Sequence, residues 1–509
     1  MEDILPKTGL VVGIVGAGAM GRGIAQVAAT GGMKVLLTDS RPEAVSDAKK
    51  HIEKMILRAA EKGVMDSAHA LEAIARIEPL SDLNELARCH LVIEAIAEDL
   101  GLKQDLFAQL ESIVSDDCIL ASNTSSLSIT TIASKCRRPQ RVVGFHFFNP
   151  VPLMKLVEVI DGLRTLPSVG DALMEIGRQM GREPVRVNDA PGFLVNQVGR
   201  AYTLEAAHLV AEGISTFSDV DAVMRDAAGF RMGPFELLDL VGLDVNHPAT
   251  QMIYRQFYDE PRYRPSAMMQ SRLDAGLLGR KTKAGFYDYE ETKTTAAAPP
   301  TPATSNDRPF PVWVSLADAQ SAAKLLALLK QLGVEIESGE KPSDSALCLI
   351  TPLGDDASYC CVEQQLDAKR VVAVDTLFDL QKRRTIMPTP VTLASYLEAA
   401  RNMLSQDGVS VTTTRDSPGF IAQRIVAMIV NIGASIAQLR TASAKDIDKA
   451  VKLGLGYPHG PLAFGDALGA SNILKILTNM QRRYGDPRYR PNLWLARRAE
   501  LGVSLTLQD

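Results

Sequence analysis

Two side chains of this chain have the types and spacing to share a proton. His146 follows the apolar run Val142 to Phe145, and Glu158 ends a second run, Leu156-Val-Glu, after a turn through Pro150 and Pro152. An imidazole brought against a carboxylate is a general base whose partner orients the ring and stabilises its charge. For a lone histidine at a strand end, a structural role, hydrogen-bonded inside the core, is the commoner one. The rest of the chain has to separate the two readings.

A second group of residues has the chemistry of phosphate recognition. Leu10 to Val15 reads as a strand and runs into Gly16-Ala17-Gly18-Ala19-Met20-Gly21, after which a helix is expected over Arg22 to Ala29. Gly16 permits the tight turn, Gly18 lets backbone approach a pyrophosphate, and Gly21 lets helix and strand pack closely. The helix N-terminus then faces the negative charge. A second strand, Lys34 to Thr38, leads into Asp39, where a carboxylate can accept from the adenosine ribose and repel a 2′-phosphate. The pattern therefore predicts NAD rather than NADP, although Arg41 could serve a phosphate.

These residues need a parallel α/β sheet to position them. Leu91 to Ile96 and Cys118 to Ala121 are strand-like and end in polar residues: Glu98 and Lys103 after the first, Ser122 to Ser126 after the second. Ligands of open parallel sheets sit outside the carboxyl ends of the strands, which makes these clusters candidates; helix capping is the alternative for Asn123 to Ser126. Lys49, Lys50, Lys54 and Arg58 recur at helical spacing, either as a solvated basic face or as an arm for a phosphate-bearing substrate. Asn196 lies just inside the helical region that follows Asp189, where it either faces the cleft or is a solvent-facing amide.

Composition narrows the function class. With 509 residues, 46% hydrophobic and 23% charged, the chain is long enough for several soluble domains. A net charge of −5 argues against nucleic acid or an anionic membrane as main partner. Met1-Glu-Asp-Ile-Leu-Pro-Lys lacks the pattern of a signal peptide, and no apolar run reaches the length of a membrane helix. The six cysteines have no metal-ligand spacing and read as reduced thiols of a cytoplasmic protein without a metal site.

The second half repeats motifs of the first. Asp189-Ala-Pro-Gly-Phe-Leu-Val-Asn196 returns as Asp416-Ser-Pro-Gly-Phe-Ile-Ala-Gln423, 227 residues later. Pro261-Arg-Tyr-Arg-Pro265 returns verbatim at Pro487 to Pro491, and Arg141-Val-Val-Gly-Phe-His146 aligns with Arg370-Val-Val-Ala-Val-Asp375. In the second copy Asp375 replaces His146, Gln423 replaces Asn196, Gly354 falls near Ser125, and no glycine-rich loop precedes it. One active site per chain is expected, in the first half. The organisation read is a Rossmann-type α/β domain over 1–188, an all-α domain over 189–290 and an Ala/Pro/Thr linker over 291–309. A degenerate α/β segment over 310–415 and a second all-α domain over 416–509 complete a partial tandem duplication.

The glycine loop, Ala121-Ser-Asn-Thr-Ser-Ser126, His146-Phe-Phe-Asn-Pro-Val-Pro152, Leu156-Val-Glu158 and Pro191-Gly-Phe-Leu-Val-Asn196 together resemble the L-3-hydroxyacyl-CoA dehydrogenases. The resemblance covers about residues 8–290 densely and 415–500 as a second copy of the helical domain. It implies NAD-dependent oxidation of (3S)-3-hydroxyacyl-CoA to 3-oxoacyl-CoA, with His146 as base held by Glu158, and with Ser125 and Asn196 on the substrate. It also implies that Gly16 to Gly21, Asp39, Glu98, Lys103, Ser125, Asn149 and Lys281 contact NAD. Lys50 and Lys54 are loosely matched candidates for CoA. The extra length resembles the long bacterial form, associated with fatty-acid or phenylacetate-type catabolism (3-hydroxyadipyl-CoA) or butanoate metabolism. Short forms dimerise through the helical domain; here the two helical copies are expected to imitate that dimer within a monomer, or the chain forms a homodimer. The rival readings are an L-gulonate-type sugar-acid dehydrogenase and a non-catalytic NAD-binding scaffold.

Overall fold

The structure is a computed structural model that describes residues 9–290 and 310–508. The linker expected over 291–309 and the N-terminal stretch read for a signal peptide lie outside the described residues. The strands in chain order are β1 Val11–Val15, β2 Lys34–Thr38, β3 Ile77–Pro79, β4 Leu91–Glu94, β5 Ile119–Ser122, β6 Val142–Phe147, β7 Leu156–Asp161 and β8 Glu183–Asn188. They are followed by β9 Val312–Val314, β10 Leu347–Ile350, β11 Val371–Val374, β12 Arg383–Pro388 and β13 Ser410–Thr413. The helices that matter to the site are α1 Ala19–Thr30, α2 Pro42–Glu61, α3 Leu100–Ile113, α4 Pro167–Gln179, α5 Val195–Ala211 and α6 Phe217–Asp226. To these are added α7 Ala422–Gln438, α8 Ala444–Leu455 and α9 Ala470–Tyr484.

The chain divides into two compact units. One runs to Gln197 and takes in Leu439–Leu455; the other runs from Val198 to Gln438 and from Gly456 onward. The first is built on an eight-stranded sheet in the order β3-β2-β1-β4-β5-β6-β7-β8. Strands such as Val11-Val-Gly-Ile-Val15 are apolar throughout because helices cover both faces of a parallel sheet. The single antiparallel step joins β6 to β7. Val157 and Val159 face α4 and share a core with its Leu173 and Ile176. Leu156 and Glu158, on the alternate positions, face the other way. Against β7 and β8 lies α8, which buries Ala444, Ile447, Ala450 and Val451. This helix therefore leaves the segment expected as a continuous helical domain over 416–509, because its apolar stripe is covered by the first sheet.

The second unit holds a five-stranded sheet in the order β13-β12-β11-β10-β9, with an antiparallel step between β11 and β12. Its neighbour relations match those of β8-β7-β6-β5-β4 step for step. Among the described residues nothing in it corresponds to β1, β2 and β3. The helix α6 packs on β12, with Arg383 donating to Asp226 at 2.8 Å. Near α5 and α7, the repeated Pro-Arg-Tyr-Arg-Pro segments meet: Arg262 donates to the Arg490 carbonyl at 2.8 Å, and Arg264 pairs with Asp486 at 3.3 Å.

Candidate active site

The antiparallel register of β6 and β7 sets His146 directly opposite Glu158. His146 Nδ1 lies 2.6 Å from Glu158 Oε2, and the two residues are 5% and 0% exposed. The other carboxylate oxygen, Oε1, accepts the backbone N–H groups of Leu194 at 3.2 Å and Val195 at 2.9 Å. A buried carboxylate needs such partners, and these fix which nitrogen of the imidazole faces it. With Nδ1 engaged, Nε2 is the atom left to take a proton. Phe148 and Phe193 flank the ring, with centroids at 4.5 and 5.9 Å. The strand boundaries differ from the sequence reading. His146 lies within β6 rather than at its end, and Glu158 is the third residue of β7, because the ladder continues past the polar residues.

The ends of β4 and β5 carry a polar cluster beside this pair. Glu98 accepts from Thr124 Oγ1 at 2.6 Å, from the Ser125 and Ser126 N–H groups at 3.0 and 3.1 Å, and from Ser126 Oγ at 2.8 Å. Burial disfavours the charged Glu98, but Lys103 and these donors outweigh it and hold its carboxyl below the ordinary value. Asn196, on the first turn of α5, donates through Nδ2 to the Ser125 carbonyl at 3.2 Å, so the two expected substrate-contacting residues stand together. Asn123 Oδ1 accepts the Phe147 N–H at 2.9 Å, which ties the end of β5 to the strand carrying His146.

Lys103 departs from the expectation of a cofactor contact. Its side chain is 1% exposed, with Nζ 2.5 Å from Glu94 and 3.3 Å from Glu98. An ammonium enclosed by two carboxylates acts on them, and here it braces the cluster. Its partner Glu94 was missed in sequence. This residue is 0% exposed and also accepts from Ser122 Oγ and Ile96 N–H, each at 2.7 Å. The available signal was a carboxylate placed inside the otherwise apolar Leu91-Val-Ile-Glu-Ala-Ile96.

The glycine loop fits a dinucleotide. Gly16 has φ +109, and a Cβ there would lie 2.4 Å from the Ala95 carbonyl oxygen, so the turn requires glycine. A Cβ on Gly18 would meet nothing within 4 Å, which leaves open space in front of the loop. No side chain caps α1, so its first-turn N–H groups are available to that space. Asp39 sits at the end of β2 and accepts from the Ala17 N–H at 2.8 Å and the Arg41 N–H at 3.0 Å. Burial opposes its charge, but these bonds keep the carboxyl below its ordinary value. It braces the loop, a role the sequence reading did not include.

The remaining candidates are scattered. Asn149 is exposed beyond β6, and Lys50 and Lys54 are exposed on α2. Burial, then the charges of Arg22 and Lys54, lower His51, which marks basic groups gathered between the middle of α2 and the start of α1. Lys281 belongs to the other unit, where it pairs with Asp244 at 2.7 Å. All six cysteines carry free thiols, and burial pushes Cys89 and Cys118 up to about 12. Among the described residues no helix is long and apolar enough to cross a membrane.

Comparison with known proteins gives this arrangement a family. Residues 11–190 match the pattern described as 3-hydroxyacyl-CoA dehydrogenase, NAD binding domain, and residues 192–289 and 419–504 both match the C-terminal domain of the same family. The chain belongs to the 3-hydroxyacyl-CoA dehydrogenase family. It is an oxidoreductase, and its cofactor is NAD. It is 38% identical over 490 residues to 3-hydroxyadipyl-CoA dehydrogenase of Escherichia coli K12, which covers 96% of this chain and 97% of that one. It is 43% identical to a probable 3-hydroxybutyryl-CoA dehydrogenase of Bacillus subtilis, over 55% of this chain and 96% of the relative. A crystal structure of 3-hydroxybutyryl-CoA dehydrogenase from Escherichia coli K12 superposes with a TM-score of 0.86 at 37% identity, covering 97% of this chain and 99% of that one. Among the 3-hydroxyacyl-CoA dehydrogenases, then, this chain is a long member with two C-terminal segments.

Proposed function

We propose that the chain catalyses reversible oxidation of (3S)-3-hydroxyacyl-CoA to 3-oxoacyl-CoA, with His146 as general base. The observation that carries this reading is the His146–Glu158 contact at 2.6 Å in direct cross-strand register, with Glu158 held in turn by two backbone N–H groups. His146 Nε2 removes the proton of the C3 hydroxyl, and Glu158 stabilises the imidazolium that results. NAD supplies the hydride acceptor when bound. Ser125 and Asn196 hold the substrate oxygen near the reacting carbon. Gly16 to Gly21 cradle the pyrophosphate, Asp39 takes the ribose hydroxyls, and Glu98 and Asn149 complete the cofactor contacts of this unit. We assign Lys103 to holding Glu98. The exposed amines of Lys50 and Lys54 are assigned to the CoA phosphates.

Relatives matched over nearly the whole chain are named 3-hydroxyadipyl-CoA and 3-hydroxybutyryl-CoA dehydrogenase, which favours this reading over a sugar-acid dehydrogenase or a silent NAD-binding scaffold. The full-length relative is named for 3-hydroxyadipyl-CoA, and that dicarboxylic substrate is the first to test. Steady-state NADH formation with 3-hydroxyadipyl-CoA, straight-chain 3-hydroxyacyl-CoAs of four to ten carbons and L-gulonate decides it. Turnover of L-gulonate alone, or NAD binding without turnover of any acyl-CoA, would overturn the proposal.

We further infer that the second half is an abbreviated tandem repeat which kept the β4 to β8 portion of the sheet and lost the dinucleotide-binding strands. In support, the five strands share order and direction, and the helical segment matches the family pattern twice. The two helical segments would pair within one chain in the manner of a dimer. An acyl-CoA substrate and six unpaired thiols suit a cytoplasmic enzyme.

A further inference from the structure

We propose that Gly454, on the helix α8, is a positioning residue for the proton-transferring pair, and that this gives the second C-terminal segment a part in turnover. The inference rests on the reading of His146 and Glu158 given above. The helix comes from the segment 419–504 yet packs in the first unit, on β7 and β8. Its Lys449 pairs with Glu183 at 2.7 Å, and just before it the carbonyl of Thr441 accepts the Asn188 N–H at 2.7 Å, so the approach is fixed at the sheet edge.

Close approach occurs at Gly454. A Cβ on Gly454 would lie 2.8 Å from Leu156 Cδ2 and 3.2 Å from each Cγ of Val195. Both neighbours act on Glu158. Leu156 precedes it by two residues on the same face of β7. Val195 supplies the shorter of the two N–H bonds to its carboxylate. The α8 backbone thus rests on the two groups that set where Glu158 stands opposite His146.

The glycine is not explained by helix termination. The chain leaves the helix at Gly456, whose φ of +66 supplies the left-handed turn. Gly454 lies within α8, where alanine would favour the helix more. Space for Leu156 and Val195 is what its missing side chain provides.

The test uses the full-length enzyme with Gly454→Ala, Gly454→Val, Gly454→Val/Leu156→Ala and Glu158→Gln. Gly454→Val is expected to lower kcat about tenfold or more, since displacements below an ångström at a reacting pair have that scale. The KM values for NAD and 3-hydroxybutyryl-CoA should change far less. The acid limb of the pH–rate profile should move in the same direction as in Glu158→Gln, which a merely structural role would not produce. Leu156→Ala in the same chain, by making room, should restore most of the lost rate. If Gly454→Val does not fold, Gly454→Ala carries the measurement, with an unchanged or higher Tm alongside a lower kcat. A Gly454 variant with wild-type kcat and pH profile overturns the inference, as does a rate loss that only tracks loss of folded protein. A Glu158→Gln enzyme with an unmoved profile instead overturns the reading of the pair itself.

Discussion

The surroundings of His146 and those of Asp375 have the same frame and opposite chemistry. In both, a carboxylate after the last strand fastens the loop beyond an earlier one: Asp189 accepts from Ser128 and Thr130, and Asp416 accepts from Ala357 and Ser358. In both, a phenylalanine follows a glycine with positive φ and is itself left-handed, at +50 for Phe193 and +48 for Phe420. Where Glu158 faces His146, Thr385 hydrogen-bonds through its carbonyl to the Asp375 N–H. Gln423 stands where Asn196 does, and it closes the site by donating to Asp375 at 2.9 Å and accepting from Gly354 N–H at 2.9 Å. Gly354 is pressed against α9, where a Cβ would lie 2.5 Å from the Ile476 backbone. The first site leaves a nitrogen free beside a polar rim, whereas the second satisfies its polar atoms internally and fills the remaining space with a helix. The same frame thus surrounds an imidazole with a free nitrogen in one unit and a buried carboxylate held by its neighbours in the other.

The largest expected effect separates the two sites directly. His146→Gln should lower kcat by about 10²–10⁴-fold, the usual worth of a general base, with folding intact by circular dichroism. Retention of more than a tenth of the wild-type rate would break the comparison, since both sites would then be structural.

Next comes the buried ion pair with no counterpart in the first half. Arg424 on α7 reaches Glu205 on α5 and Glu212 just beyond its end, whereas the residue matched to it in the repeat is Gln197. Burial opposes the charge of Glu205, but Arg424 and Arg488 outweigh it and hold the carboxyl at about 2. A carboxyl lowered on folding contributes stability above its unfolded value near 4.5 and loses it as pH falls from there toward 2. Arg424→Gln leaves Glu205 buried without its cation and should cost about 3–5 kcal/mol, read by denaturant titration at pH 7. The deficit relative to wild type should shrink as the titration is repeated toward pH 3. A deficit below about 1 kcal/mol, typical of exposed pairs, would show that this pairing does not hold the two helical segments together.

A smaller effect tests the glycine loop of the first sheet. Gly18→Ala adds a methyl into open space, so Tm should hold while the KM for NAD rises about tenfold, roughly 1.4 kcal/mol of lost binding. Isothermal titration with NAD checks it. Unchanged affinity would mean that the cofactor does not approach the loop at Gly18.

The sequence made the frame and the pair legible for physical reasons. The glycine loop gained its meaning from the strand, helix and Asp39 that follow it in register, and the Pro150–Pro152 turn between two apolar runs suggested that His146 and Glu158 come together, which the cross-strand register shows. Strand ends were less legible: the runs stay apolar past His146, and periodicity does not show where a ladder stops. The inward turn of Lys103 depends on Glu94, which in sequence is one acid in an apolar strand. The destination of α8 was hidden for a related reason. An amphipathic pattern of Ala444, Ile447, Ala450 and Val451 states that one face is covered, never by which sheet.

The smallest expected effect is the sharpest statement of the difference. Asp375 is buried, which raises its carboxyl despite bonds from Gln423 and from the Leu377 N–H. Folding then favours the protonated form, so the group contributes most at low pH, and that contribution is lost as pH rises through the raised value. The substitution Asp375→Asn keeps an acceptor oxygen at the position of Oδ1, which both donors use, and removes the charge. It should therefore leave kcat within about twofold of wild type and raise Tm, more at pH 8 than at pH 4, in paired thermal melts. A fall in kcat without loss of stability would mean that Asp375 takes part in turnover and that the chain carries two working sites. A Tm that drops at pH 8 would mean the carboxylate is held ionised by partners that the amide cannot replace.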